Sequence, residues 1–255
     1  MERHRGEPRP GWEKIVEGQG MVYGVPGRGQ GGAPRPYWDE SVHYTFSMDE
    51  VLSLEADVEV VHSMCLEAVE HVVTTERFGD FAIPEYAWEA VAASWRRSDP
   101  HVYGRFDLRY DGGGPAKLLE YNADTPTTLL EASILQWHWL QDVFPDDDQW
   151  NSLHEKLVER WGEIRAGLPG DDVYFTWSRG DSTGEDHVTV GYLQETAAEA
   201  GLSTVGLSIE DVGWGSSLGR FVDLEEHFMS AGFKLYPWEW MVREEFGRNL
   251  LARTV

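Results

Sequence analysis

An α+β fold is predicted by three features of this 255-residue chain: long stretches with helical spacing of apolar residues, short alternating runs, and a glycine-centred hairpin between two such runs. Helical spacing runs through "VEVVHSMCLEAVEHVV", "EYAWEAVAASWRRS" and "DDDQWNSLHEKLVERWGEIRAGL". Alternation marks "GRFDLRY" and "KLLEYN", and "DVYFTW" also reads as a strand. No internal repeat is present, and a hydrophobic content of 41% with 12 tryptophans suits a chain with a buried core.

Residues 1–36 are rich in Gly, Pro and Arg and are expected to form a flexible lead-in, with one short amphipathic piece in "WEKIVEGQGMVY". Residues 37–255 then form the folded domain. Ser47 followed by Glu50 reads as a capping box opening a helix. A break falls at "SDPH", after which strand character begins. Beyond the hairpin, "TLLEASILQWHWLQDVF" is helical, starting either at Thr125 with Pro126 in the first turn or at Thr128 with Glu131. The acids of "DDDQW" suit the positive end of the next helix. Gly201 is placed to end the helix in "HVTVGYLQETAAEAG".

Acidic residues number 45 and basic ones 21, for a net charge of −24. Such a surface repels nucleic acid and anionic membranes, so neither is an expected partner. Cys65 is the single cysteine, which excludes an internal disulfide and a multi-cysteine zinc site. It sits in an apolar run and is expected as a buried helical thiol. No apolar run approaches the roughly 18–20 residues of a membrane span, and the charged first residues lack a signal-peptide core, so a cytoplasmic address is expected.

The hairpin carries the chemistry. With Gly113-Gly114 as a two-residue turn, Asp107 faces Glu120, Arg105 faces Asn122, Phe106 faces Tyr121 and Leu108 faces Leu119. One side of the ribbon is then apolar and the other is a polar quartet. Two carboxylates directly across a strand pair repel unless something positive lies between them. The neighbouring arginines can supply that charge. Alternatively, two carboxylates and one amide carbonyl, without His or Cys, suit Mg²⁺, with Arg105 beside a transferring phosphoryl group. The free N–H groups of the helix that follows favour a carboxylate or phosphate nearby, although simple capping accounts for them equally well.

"KLLEYNADTPTTLLEAS", together with "SWRRSDPHVYGRFDLRYDG" and "FKLYPWEWM", resembles the glutathionylspermidine synthase family, and the similarity extends from "WEKIVEGQG" to the last residues. The resemblance implies the N-terminal, pre-ATP-grasp part of an ATP-grasp-type synthetase domain. It would have a central mixed sheet, flanking helices and an incomplete C-terminal nucleotide-binding part. The implied activity is an ATP- and Mg²⁺-dependent ligation of a glutathione-like peptide to an amine or polyamine. In that family's pattern Arg105 steadies the transferring phosphoryl group, and Arg105 and Asp107 meet the nucleotide. Asp107, Glu120 and Asn122 hold Mg²⁺, and Thr125, Glu185 and Asp186 bind substrate. For Glu185 and Asp186, capping of the following helix is an equal alternative. Family members continue with "EPAWK…SNKAILP"-like sequence, so self-association through an uncovered face is a further expectation. A peptide- or polyamine-binding relative without catalysis is the alternative function.

Overall fold

Continuous apolar strands belong inside a sheet covered on both faces, and "DVYFTW" is such a strand. In the computed structural model, which describes residues 1–23, 37–217 and 219–251, strand β5 (Asp172–Trp177) lies between β6 (Ser203–Ser208) and β9 (Gly232–Leu235), parallel to both. The three-stranded sheet is therefore wholly parallel rather than mixed. Helix α6 (Glu185–Glu199) makes the crossover from β5 to β6 and packs on α5 (Leu153–Arg165). Phe175, Val190, Leu193 and Ala197 are fully buried there, with Leu157 and Trp161 against them. The Trp161 Nε1 donates to Thr196 Oγ1 at 3.1 Å, so the one polar edge of that ring is satisfied. Gly201 ends the helix at φ +88°, the left-handed conformation expected of it.

Antiparallel strands pair, among the described residues, in two-stranded ribbons: β1 (Glu2–Arg5) with β2 (Val42–Thr45), β3 (Arg105–Arg109) with β4 (Lys117–Asn122), and β7 (Gly213–Gly215) with β8 (Arg220–Val222), to which an isolated bridge joins Val222 and Phe228. The β1–β2 pairing corrects the expectation of a flexible lead-in. Over residues 1–23 the chain is a strand and then helix α1 (Trp12–Gly18), and Val16 and Met21 are fully buried against Leu130 and Leu135. Their burial, and an internal ion pair at Arg9, outweigh the Gly/Pro composition. The remaining lead-in, 24–36, lies outside the described residues.

Helix α2 (Met48–Thr74) opens with the full capping box: Glu50 N donates to Ser47 Oγ at 3.3 Å and Ser47 N to Glu50 Oε2 at 3.0 Å. Its outer side is little covered, with Met48, Leu52, Val60 and Met64 all more than half exposed. Cys65 is accordingly half-buried rather than enclosed. Helix α3 (Trp88–Arg97) stops at Ser98, in the left-handed conformation, where the sequence breaks. The acids Asp146–Asp148 precede α5 without entering its first turn, because Asn151 Oδ1 takes Leu153 N at 2.9 Å and starts the helix there. No described helix is long and apolar enough to cross a membrane.

Candidate functional site

The β3–β4 ribbon pairs Arg105 with Asn122, Phe106 with Tyr121 and Asp107 with Glu120, as the alternation requires. Beyond Asp107 the register shifts, and Leu108 faces Leu118 instead of Leu119. The connection is a longer loop over 110–116 rather than a Gly-Gly turn, and Ala116 N donates to Asp57 Oδ2 of α2 at 2.9 Å. Leu119 is the extra residue of this bulge and is 68% exposed, so the apolar side is shorter than expected. What remains is a tight stack: the Phe106 and Tyr121 rings lie 4.0 Å apart, with His62 of α2 edge-on to both. A methyl group at Gly104 would lie 2.7 Å from the Tyr121 ring, which explains a glycine immediately before Arg105.

On the polar side Arg105 Nε donates to Asp107 Oδ1 at 2.8 Å. Glu120, directly opposite, has no hydrogen-bond partner among the described residues. The arginine is thus bonded to one of the two facing acids and feels the charge of the second, whose carboxylate makes no hydrogen bond among the described residues. Asn122 is differently engaged. Its Oδ1 accepts from Asp124 N at 3.2 Å and Thr125 N at 3.0 Å, and its Nδ2 donates to Thr125 O at 3.3 Å. Its first task is therefore to fold the turn that carries Thr125.

That turn leads to a strained entry. Of the two helix starts expected from sequence the second forms in place but without its capping box: the helix opens at Leu129, with Ala132 N donating to Thr128 O at 3.2 Å. Thr128, a β-branched residue, sits at φ +72°, and its hydroxyl donates to Thr127 O at 2.5 Å. Arg105 Nη1 lies 3.5 Å from the same carbonyl. The chain then makes one wide π-type turn, Glu131–Leu135, before helix α4 (Gln136–Val143). Glu131 does not turn back to cap. Its side chain points inward, where Oε1 accepts from Tyr37 Oη at 2.8 Å and Tyr23 Oη at 3.1 Å.

Glu185 and Asp186 occupy the first turn of α6, but another residue caps the helix. Asp181 accepts Asp186 N at 2.9 Å and Thr183 N at 2.8 Å, which leaves both expected substrate carboxylates unengaged among the described residues. The two groups of acids share one electrostatic neighbourhood with the ribbon. Tyr37, pushed up first by burial, feels Glu131, Glu185 and Arg105, and Tyr103 feels both Arg105 and Asp186. Burial, then Asp181 and Glu185, raise the Asp186 carboxyl to about 6. The folded chain therefore holds that proton more tightly than the unfolded one. Stability falls as pH rises from about 4 to about 6 and is level above. Asp186→Asn is expected to add about 1 kcal/mol near pH 7.5, a figure discounted for the group's partial exposure, and nothing below about pH 4. Urea unfolding at both pH values reads the difference.

Three participants were not evident from sequence: Glu131, Lys234 and Asp124. Lys234 pairs with Asp124, whose Oδ2 also accepts Trp238 N at 3.0 Å, and its Nζ lies 5.0 Å from the centre of the Trp238 ring. This fastens "FKLYPWEW" to the turn after Asn122. Burial lowers the lysine's pKa, opposed by Asp124. The signal for Glu131 was a lone acid at a core position of "LLEASIL". His187 stacks on Trp177 at 4.5 Å and takes no part in the ribbon face.

Residues 3–255 match the family model described as glutathionylspermidine synthase preATP-grasp. Among curated proteins the chain is 36% identical over 216 residues to one of Haemophilus influenzae named "Putative acid–amine ligase", covering 84% of this chain and 54% of that protein. It is 25% identical over 218 residues to the bifunctional glutathionylspermidine synthetase/amidase of Escherichia coli, covering 82% and 34%. It is 28% identical over 193 residues to trypanothione synthetase of Crithidia fasciculata, covering 73% and 28%. The chain spans about half the length of the first relative and about a third or less of the other two.

Proposed function

This chain belongs to the glutathionylspermidine synthase preATP-grasp family, and from that premise we propose that it serves an ATP- and Mg²⁺-dependent carboxylate–amine ligation. The single observation that carries the proposal is the face of the ribbon, where Arg105 is paired to Asp107 while Glu120 stands opposite with its carboxylate open. The donor set fits a hard cation. Two facing carboxylates, with no third His, Cys, Asp or Glu gathered around them among the described residues, suit an ion that keeps several waters and meets substrate phosphates. Asp107 and Glu120 would hold Mg²⁺. Asn122 would contribute least, since its Oδ1 already accepts two backbone N–H groups.

In this reading Arg105 and Asp107 receive the nucleotide, and Arg105 neutralises charge on the transferring phosphoryl group. A cation held there would supply charge neutralisation for the phosphate oxygens. Thr125, Glu185 and Asp186 orient a glutathione-like peptide and a cationic amine. The peptide carboxylate takes the terminal phosphoryl group of ATP, ADP leaves, and the amine nitrogen then displaces phosphate and loses a proton to give the amide. Positioning and charge neutralisation account for the catalysis, and no protein nucleophile is needed. Titrating the chain calorimetrically with Mg²⁺ and ATP tests this. Asp107→Asn and Glu120→Gln are expected to weaken the binding at least tenfold, and a wild type that behaves like both variants overturns it.

A second reading rests on the unengaged Glu185 and Asp186 carboxylates: a binder of peptide or polyamine without turnover. A thermal shift with glutathione or spermidine alone, and no phosphate release on adding ATP, would establish it. Self-association has its candidate surface in the exposed row Met48, Leu52, Val60 and Met64 of α2. A single monomer at high concentration in sedimentation excludes that.

A further inference from the structure

Helix α2 is 27 residues long, and Leu54 is its one buried residue. Met48, Leu52, Ala56, Val60 and Met64 follow one another at four-residue spacing, so they form a single row along the outer side of the helix, and all are exposed. A solvated helix face needs no such row, and a continuous exposed one marks a contact surface. The flanking rows are acidic: Glu55, Glu59 and Glu67 run along one side, Asp49 and Asp57 along the other. The helix carries seven acids and no Lys or Arg. The Trp150 indole donates to Glu55 Oε1 at 3.0 Å and lines a groove with Leu52, Ala56 and Glu59. We infer that this row docks an amphipathic helix of a partner protein, whose aliphatic side chains enter the groove and whose Lys or Arg residues meet the acids on either side.

Geometry and charge select that occupant. Ridges at four-residue spacing on two helices interdigitate at a crossing angle of about −50°, so a second helix is the shape the row accepts. Burial of the aliphatic row supplies the affinity. Lysine and arginine stems cover apolar surface while their charged ends reach acids beyond it, which suits the row of Glu55, Glu59 and Glu67. Glu59 and Glu67 have no hydrogen-bond partner among the described residues, so both are open to such a cation. A second copy of this chain is the poorer occupant. Two α2 helices face to face would set acid rows against each other in chains that each carry −24. That net charge draws a basic partner from a distance and repels an anionic membrane. The inference stands apart from the ligase reading, since no residue of the row takes part in it.

The test titrates the full chain against fluorescently labelled synthetic helices and reads their anisotropy. The probe is built of Leu and Lys, with its leucines in one row at four-residue spacing. Its controls are the same helix with Glu for Lys, and a scramble of the Leu/Lys composition that has no apolar row. Wild type is expected to bind the probe and neither control. Leu52→Gln with Val60→Gln, both at exposed positions, is expected to weaken the probe about tenfold while the melting temperature holds. Glu59→Gln with Glu67→Gln keeps the apolar row and is expected to weaken the probe about threefold and to flatten its salt dependence. Unchanged affinity in the Leu52, Val60 variant, or equal binding of the scramble, makes the attraction a general one between opposite charges and overturns the inference. Binding of the Glu-bearing helix overturns it as well. A wild type that sediments as a dimer, and as a monomer once Leu52 and Val60 are replaced, gives the face to a second copy and sinks the proposal.

Discussion

Arg9→Ala is expected to lower the stability of the chain by about 3–5 kcal/mol, the cost of stranding a buried charge. The Glu40 side chain is fully buried and the Arg9 side chain 9% exposed. Arg9 Nε and Nη2 reach the carboxylate at 3.1 and 2.5 Å, Arg9 N at 3.2 Å, and Trp38 Nε1 adds a fourth donor at 3.2 Å. Arg9 Nη1 continues to Asp142 of α4 at 2.6 Å, so one guanidinium joins the N-terminal segment to two other parts of the fold. Removing it leaves the buried Glu40 carboxylate without its compensating charge. In urea the midpoint should fall with little change of slope. An Arg9→Met, Glu40→Leu double variant should recover most of the loss, because an apolar pair of similar volume needs no desolvation repaid. A loss below about 1 kcal/mol for Arg9→Ala alone would show that the pair contributes no more than a surface bridge.

The same pair illustrates where sequence reading stops. Arg9 stands in "GEPRPGW", and nothing local to that string announces a partner thirty-one residues away. Local rules succeeded where the determinants were local. Ser47 and Glu50 are three residues apart and found each other. Gly201 took the left-handed conformation, and the register centred on Gly113-Gly114 put Asp107 across from Glu120 even though the connection there is a longer loop. The Leu108–Leu119 pairing failed because the 110–116 loop ties to Asp57, a contact between elements that shifts register by one residue. Thr128 and Glu131 looked like a capping box, and did not become one because two tyrosines from the N-terminal part of the chain compete for the same carboxylate. Of the parallel strands β5 was legible in "DVYFTW", whereas β6 and β9 were not, nor was their place beside it, since β9 enters the sheet after two ribbon strands intervene. For the site, residue types and face were readable. That the acids of α6 belong with the ribbon follows from the family resemblance and from no local pattern in the sequence.

Arg105→Ala is the substitution expected to separate function from folding most sharply. The side chain is 30% exposed and its partner Asp107 is 42% exposed, so the pair is a partly solvated bridge and its loss should cost the fold under about 1 kcal/mol. Under the ligase reading the functional cost is much larger. Among the described residues Arg105 is the cation bonded to the ribbon's acidic face, and it also reaches toward the Thr127 carbonyl at the strained helix entry. Without it Asp107 and Glu120 face each other unscreened, and the negative charge of a transferring phosphoryl group meets two carboxylates with only a metal ion between. Loss of one such preorganised donor is expected to slow ADP formation about 10²–10³-fold, equivalent to about 3–4 kcal/mol. Arg105→Lys should recover little of it: an ammonium cannot engage Asp107 and a phosphoryl oxygen together as a planar fork does. Mg²⁺ affinity, read without nucleotide, should move the opposite way and tighten modestly, because Asp107 is released from its internal partner. A variant that loses nucleotide turnover, keeps its melting temperature and gains Mg²⁺ affinity fits a phosphoryl clamp. One that loses stability and turnover together, with Mg²⁺ affinity unmoved, makes Arg105 a structural tie.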